Sequence, residues 1–252
     1  MTTIDTQSIE TKQEDIEAFV SETLETIEQR ALAARIDMYA LLADAYRYPD
    51  ALTRVYVRNG ELKSDFMRIA ESLPYAMAMD DQEANLLVYP DSVVDDDVEA
   101  DFIRFFEAGP GHPPCPLVEG IHMSKENGRR TIFKDLILFY NNFGLSYAEG
   151  CVHDSPDHIT YEMEFLHYLA FLELKTLQKG KDPRQLQWAQ KDFIERHPAQ
   201  WTCLLADRMK KIEVGIKGGV NKGMVTFYRN LMVLTDRFVC HDLKHMTSFI
   251  ED

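Results

Sequence analysis

The stretch SPDHITYEMEFLHYLAFLELKTLQ, residues 155–178, decides the fold. Ser155 is a good helix N-cap and Pro156 suits the first helical position, which predicts a helix over 156–179. Ile159, Met163, Leu166, Leu169, Ala170 and Leu174 follow at three- and four-residue intervals, so one face of that helix is apolar. The same spacing continues outward. Towards the C-terminus, Asp182-Pro183 opens a helix to about 196, and two more run over 198–213 and 222–249 around a turn at Gly215, Gly218 and Gly219. Towards the N-terminus, helical patterning covers 125–142 and 92–107, where Val94, Val98, Phe102, Phe105 and Phe106 fall together. Weaker patterns occupy 80–88 and 61–73, and a helix over 31–47 carries Leu32, Ile36, Tyr39, Ala40 and Ala43 before stopping near Pro49. Residues 9–30 are charged, with a thin stripe of Ile9, Ile16, Phe19, Val20, Leu24 and Ile27. Runs of β-branched residues in period two are nearly absent, so the expected fold is all-α. We read an N-terminal amphipathic extension, 1–30, and an all-helical domain, 31–252. The domain is interrupted by the loop AGPGHPPCPLVEG, 108–120, whose prolines and glycines exclude regular helix.

The 252 residues hold 27 Lys and Arg against 42 Asp and Glu, a net charge of −15. That balance argues against binding nucleic acid phosphates and favours basic partners. Cys115, Cys151, Cys203 and Cys240 are far apart, with none of the close spacing of a structural zinc site, which suits a reducing compartment. The first twenty residues are polar and acidic, unlike a secretory signal, and no run of about 18 apolar residues could span a membrane. The expectation is a cytoplasmic protein.

Polar chemistry is densest at Cys151, His153, Asp154, Asp157, His158, Glu162 and Glu164. Three readings stay open there. Asp157 caps the helix and His158 sits in its first turn; or the junction is the lip of a peptide-binding surface; or His153, Asp154, His158 and Glu162 serve a metal-dependent helical enzyme, His158 and Glu162 sharing a face at i, i+4. Cys240, His241 and His245 form a smaller group that reads as a solvated helix end. Gly215–Gly219 lacks the spacing and the preceding strand of a phosphate loop. No signature of a catalytic nucleophile is present. Phe193 and Trp201 are expected in the core, with His197 capping a break before Pro198, and the aromatics at 102, 105, 106, 139, 140 and 143 are expected to be core as well.

Three segments, in order, resemble the TorD/DmsD/NarJ family of molybdoenzyme maturation chaperones, also called redox enzyme maturation proteins. FIRFF at 102–106 with GPGHPP at 109–114 resembles the aromatic helix end and Pro-rich loop of that family. PDHITYEMEF at 156–165 resembles its PDHI box, and FIERHPAQW at 193–201 its FxxxHLxxW box, with Pro198 in place of leucine. The loop departs from the usual P-x-Y-E, since Val118 precedes Glu119. The length and the Pro-Pro-Cys-Pro loop look most like the branch serving dimethylsulfide, ethylbenzene, chlorate and selenate enzymes. The resemblance implies an all-helical, non-catalytic protein without a cofactor of its own. Such chaperones bind the apo catalytic subunit of a molybdenum-cofactor oxidoreductase, often at a twin-arginine signal peptide, before cofactor insertion and export or assembly. It places Pro156, Asp157, His158, Tyr161, Glu162, Glu164, His197 and Trp201 at the partner-binding site.

Overall fold

Thr26 opens the first helix with a reciprocal cap, its side chain accepting from the Gln29 amide while Gln29 Oε1 accepts from the Thr26 amide. Two of the donors that a helix start leaves open are thereby satisfied. That helix is α1 (Ile27–Ala45), in a computed structural model that describes residues 26–108, 113–123, 128–145, 155–212 and 221–251. Most of the expected extension, and the turn at 215–219, lie outside the described residues. The remainder of the extension belongs to α1, which crosses the boundary expected at residue 30.

The chain continues through α2 (Ala51–Arg58), α3 (Glu61–Ser72), α4 (Asp81–Asn85) and α5 (Asp95–Phe102), which runs into a π-turn at Ile103–Glu107. There follow α6 (Glu119–Met123), α7 (Gly128–Asn142), α8 (Ile159–Gln178), α9 (Arg184–Arg196), α10 (Pro198–Lys210) and α11 (Lys222–Glu251). Among the described residues there is no strand, only an isolated antiparallel bridge between Val118 and His158. The all-α expectation is therefore met. Two helices, α2 and α6, were not legible in the sequence, and α8 begins three residues later than expected.

Helix α1 lies along α8 and against α3; α9 packs on both α8 and α11, and α10 pairs with α11. One hydrophobic cluster runs through these elements from Ala34 to Met246. The expected aromatics belong to it: Phe106 meets Tyr228 edge-on at 4.7 Å, and Phe165 meets Phe193 at 4.7 Å and Tyr140 at 5.0 Å. Each such ring contributes about 1.5–3 kcal/mol when taken fully out of water.

The core also holds a charged centre. Arg35 of α1 is buried and donates through Nε to Asp242 Oδ1 at 2.6 Å and through a terminal nitrogen to Asp242 Oδ2 at 2.8 Å. The same nitrogen donates to Gln190 Oε1 at 2.9 Å, and Glu173 lies 3.5 Å from the other. Asp242 also accepts from the hydroxyls of Tyr39, at 2.6 Å, and Tyr75, at 2.9 Å. Glu173 accepts from Gln187 and Gln190, both at 2.7 Å. The network joins α1, α8, α9, α11 and the segment before α4. Burial opposes the charge on Asp242, but Arg35 and the two hydroxyls hold its carboxyl below the usual range.

Breaking the pair strands a buried charge, and we expect Asp242→Ala to cost about 3–5 kcal/mol in urea unfolding, whereas Arg35→Met with Asp242→Leu should cost much less. Because the folded carboxyl titrates below its unfolded value of about 3.9, its contribution is present above that value and lost as pH falls through the folded one. Asp242→Asn should therefore flatten part of the acid limb of the stability profile.

Candidate functional site

In the C-terminal part of the Pro-rich loop the Cys115 amide donates to the Phe105 carbonyl at 2.9 Å. Its thiol is buried over the Leu205 carbonyl, and burial pushes it up to about 12, which makes it unreactive. The chain then runs beside the start of α8. The Ile159 amide donates to the Leu117 carbonyl and the Glu119 amide to the Asp157 carbonyl, both at 2.9 Å, on either side of the Val118–His158 bridge. This bridge explains the late start of α8. It holds His158 in extended backbone, so that His158, rather than Ser155, is the N-cap, its Nδ1 accepting from the Thr160 amide at 3.3 Å.

Asp157 is not the cap either. Its Oδ2 accepts from the Gly120 amide at 2.9 Å and lies 3.6 Å from Arg129 Nε. Here glycine is required by close approach: a Cβ on residue 120 would stand 2.5 Å from Arg129 Cγ and 2.8 Å from Asp157 Oδ2. The carboxylate at the PDHI box thus anchors the first turn of α6.

The box at 193–201 meets the same place from the other side. His197 interrupts α9 and α10, and its Nδ1 lies 2.9 Å from Glu119 Oε2, while its Nε2 lies 3.2 Å from Asp135 Oδ2. Trp201 Nε1 donates to Glu162 Oε2 at 3.0 Å. The His122 ring stacks near Trp201 at 5.3 Å, its Nε2 2.7 Å from the Pro116 carbonyl, and Tyr140 donates to the Pro156 carbonyl at 3.0 Å. Burial, with Glu119 and Asp157 close by, raises the Glu162 carboxyl well above the ordinary carboxylate range, partly opposed by the Trp201 donor. Glu162 therefore keeps a proton where a surface glutamate would have lost it.

The expected site residues thus divide. Pro156, Asp157, Glu162, His197 and Trp201 are buried, and they fasten the loop to α8 and α10. His158, at the N-cap, is half-buried, as are Tyr161 and Glu164, which share a face of the first turns of α8 at i, i+3. The sequence carries no sign of the roles of Gly120, Arg129 and Asp135, and it marks Glu119 only as the last residue of a loop motif whose departure is Val118. Of the four residues considered for a metal, His153 and Asp154 lie outside the described residues. Among the described residues no group of three or more His, Cys, Asp or Glu is placed to hold a metal ion. The helix end at Cys240, His241 and His245 is not simply solvated: both imidazoles pack on Tyr75, at 5.9 and 5.5 Å. Burial, with Arg35 near, pushes His245 down to about 4.

Beyond the edge of α8 the surface turns apolar. Glu164 pairs with Arg47 at the end of α1. Tyr48 follows, donating to Glu99 at 2.8 Å, and then α2 presents Leu52 and Val55, which are 80% and 52% exposed. Helix α2 is held to α5 by ion pairs of Arg54 with Glu99 and of Arg58 with Asp95. Carboxylates and uncovered apolar side chains therefore share one surface.

A carboxyl raised in the folded state contributes stability that is complete below the unfolded value of about 4.3 and is lost as pH rises towards the folded one. We expect Glu162→Gln, an uncharged mimic, to unfold in urea within about 1 kcal/mol of the parent at pH 5 and to lose less stability than the parent between pH 5 and 8, with tryptophan emission as the readout.

Comparison with known proteins places this geometry. The sequence model for the nitrate reductase delta subunit matches residues 74–207, a span that contains the loop, the PDHI box and His197–Trp201. The perchlorate reductase assembly chaperone protein of Dechloromonas aromatica (strain RCB) is 30% identical over 234 residues, 88% of this chain and 97% of that one. The selenate reductase assembly chaperone protein of Thauera selenatis is 32% identical over 142 residues, 56% of this chain and 72% of that one. The chlorate reductase assembly chaperone protein of Ideonella dechloratans is 34% identical over 116 residues, 46% of this chain and 59% of that one. No solved structure matches the chain significantly. With more than half of its residues under the family's model and a relative aligned along nearly its whole length, the chain belongs to the nitrate reductase delta subunit family, the NarJ/TorD-like group of assembly chaperones.

Proposed function

We propose that this protein is an assembly chaperone that binds the apo catalytic subunit of a molybdenum-cofactor oxidoreductase and keeps it competent for cofactor insertion. The observation that carries the reading is the surface running from His158, Tyr161 and Glu164 through Arg47 to Tyr48, Leu52 and Val55. A segment that combines basic and apolar residues, as a twin-arginine leader does, asks its receptor for acidic groups beside an apolar face. The net charge of −15 favours the encounter with such a segment. In this reading the buried residues of the two boxes are a scaffold: Asp157, Glu119, His197, Glu162 and Trp201 fix the start of α8, and α8 presents the contact edge. The role asks for no catalytic residue and no cofactor in the chaperone itself. It places the protein in the cytoplasm, since insertion precedes export. Relatives named for perchlorate, chlorate and selenate reductases support a client of that class.

The test is affinity purification of the tagged protein from its host under anaerobic respiration, with mass spectrometry of the proteins that accompany it. We expect one large molybdenum-enzyme subunit lacking its cofactor. Tyr161→Ala with Glu164→Lys should reduce its recovery at least tenfold while unfolding in urea within about 1 kcal/mol of the parent, because Arg47–Glu164 is a partly exposed pair. Equal recovery would place the contact elsewhere, and recovery of only unrelated proteins would end the chaperone reading.

A further inference from the structure

Residues 73–80 connect α3 to α4 without forming a helix, and their burial alternates strictly. Leu73, Tyr75, Met77 and Met79 are buried or half-buried, whereas Pro74, Ala76, Ala78 and Asp80 are exposed. Period two is the mark of an extended strand with one face on the core. The segment is paired in no sheet; residues 73–75 bend and 76–80 run on without regular structure. Among the described residues no backbone hydrogen bond reaches 74–79, and the one carbonyl taken there, that of Ala78, is held by the Arg237 guanidinium. The same segment forms one wall of a cleft of about 510 Å3, and α3 supplies the other through Met67, Ala70 and Glu71.

We propose that this cleft is a docking site for an extended peptide segment of a partner protein, which pairs its main chain with residues 74–79 and sets alternate apolar side chains among the methionines. Two independent observations point to that occupant. An unpaired main chain is satisfied by another extended chain and not by a helix, whose own amides and carbonyls are already spent. Methionine walls, with unbranched and polarisable side chains, accept apolar groups of varied shape, which fits a peptide defined by its pattern more than by its residues. Glu71 on the wall and Asp80 and Asp81 at the end of the segment are exposed carboxylates, so a basic residue at the flank of the peptide completes the match. The site lies away from the α8 edge in sequence and does not depend on the chaperone reading.

The probe is the blocked heptapeptide Lys-Val-Ser-Val-Ser-Val-Arg, added to the full chain, beside a copy N-methylated at every valine and serine. Amide hydrogen exchange over 73–80 is followed by mass spectrometry, and affinity by the anisotropy of a labelled peptide. The parent peptide should slow exchange of 75–79 at least fivefold, and N-methylation should weaken binding at least tenfold, since it removes main-chain donors and leaves side chains intact. Met67→Glu should weaken the parent peptide similarly, and because the methylated control uses unaltered protein the result does not hinge on how that variant folds. Equal binding of the two peptides, protection confined to other residues, or no protection at millimolar peptide would each overturn the proposal. Protection that grows with protein concentration in the absence of peptide would assign the edge to a second copy of the chain instead.

Discussion

The ion pair between Arg35 and Asp242 holds together elements that lie farthest apart in the sequence, 207 residues from one another. A lone guanidinium in an apolar interior costs several kcal/mol, so the position of Arg35 is tolerable only because its donors find partners. Those partners fix geometry: α1 is set against α11 by Asp242, against α9 by Gln190 and against α8 by Glu173. Hydrophobic packing is forgiving about rotation and sliding, whereas a bidentate pair is not. The network thus supplies the registration that a greasy helix bundle would otherwise lack.

Helix α8 carries this registration to the surface. Glu173 belongs to the charged centre and Glu162 to the cluster under the loop, about 16 Å apart along one helix axis. Between them the helix buries Met163, Phe165, Leu166, Leu169 and Ala170. Each end therefore has a polar lock, and the apolar middle supplies the burial energy. The loop lock is built from groups that arrive on α6, α8 and the α9–α10 break, so the accessible edge of α8 is positioned by buried residues.

This division marks where sequence reading succeeds and where it stops. Long amphipathic helices such as α8 and α10 are legible because their stripe is a local property. Helix α2 is hard to read because it is only eight residues long and carries the β-branched and aromatic run Val55-Tyr56-Val57, which suits a strand as well as a helix. The five residues of α6 come after a proline-rich loop and owe their start to Asp157, 37 positions away from Gly120. The two boxes were recognised as motifs, yet their meaning shifts once Trp201 is seen on Glu162 and His197 on Glu119. Pairings of that kind carry no spacing signal, and the alternation of burial at 73–80 is hidden because three of the four exposed positions hold proline or alanine instead of polar residues.

The wide turn at Ile103–Glu107 has a consequence for how the chain can vary in length. There the Ala108 amide reaches back five residues to the Ile103 carbonyl at 2.8 Å, so one turn accommodates an extra residue. Phe102, Phe105 and Phe106, spaced i, i+3 and i+4, are all buried on one side of this stretch. Such a turn is slack built into the chain. A single-residue deletion here would convert the turn to an ordinary one, whereas the same deletion between Cys115 and Gly120 would shift Leu117 and Glu119 out of register with Ile159 and Asp157. Relatives that differ by one residue in this region should carry the difference at this turn.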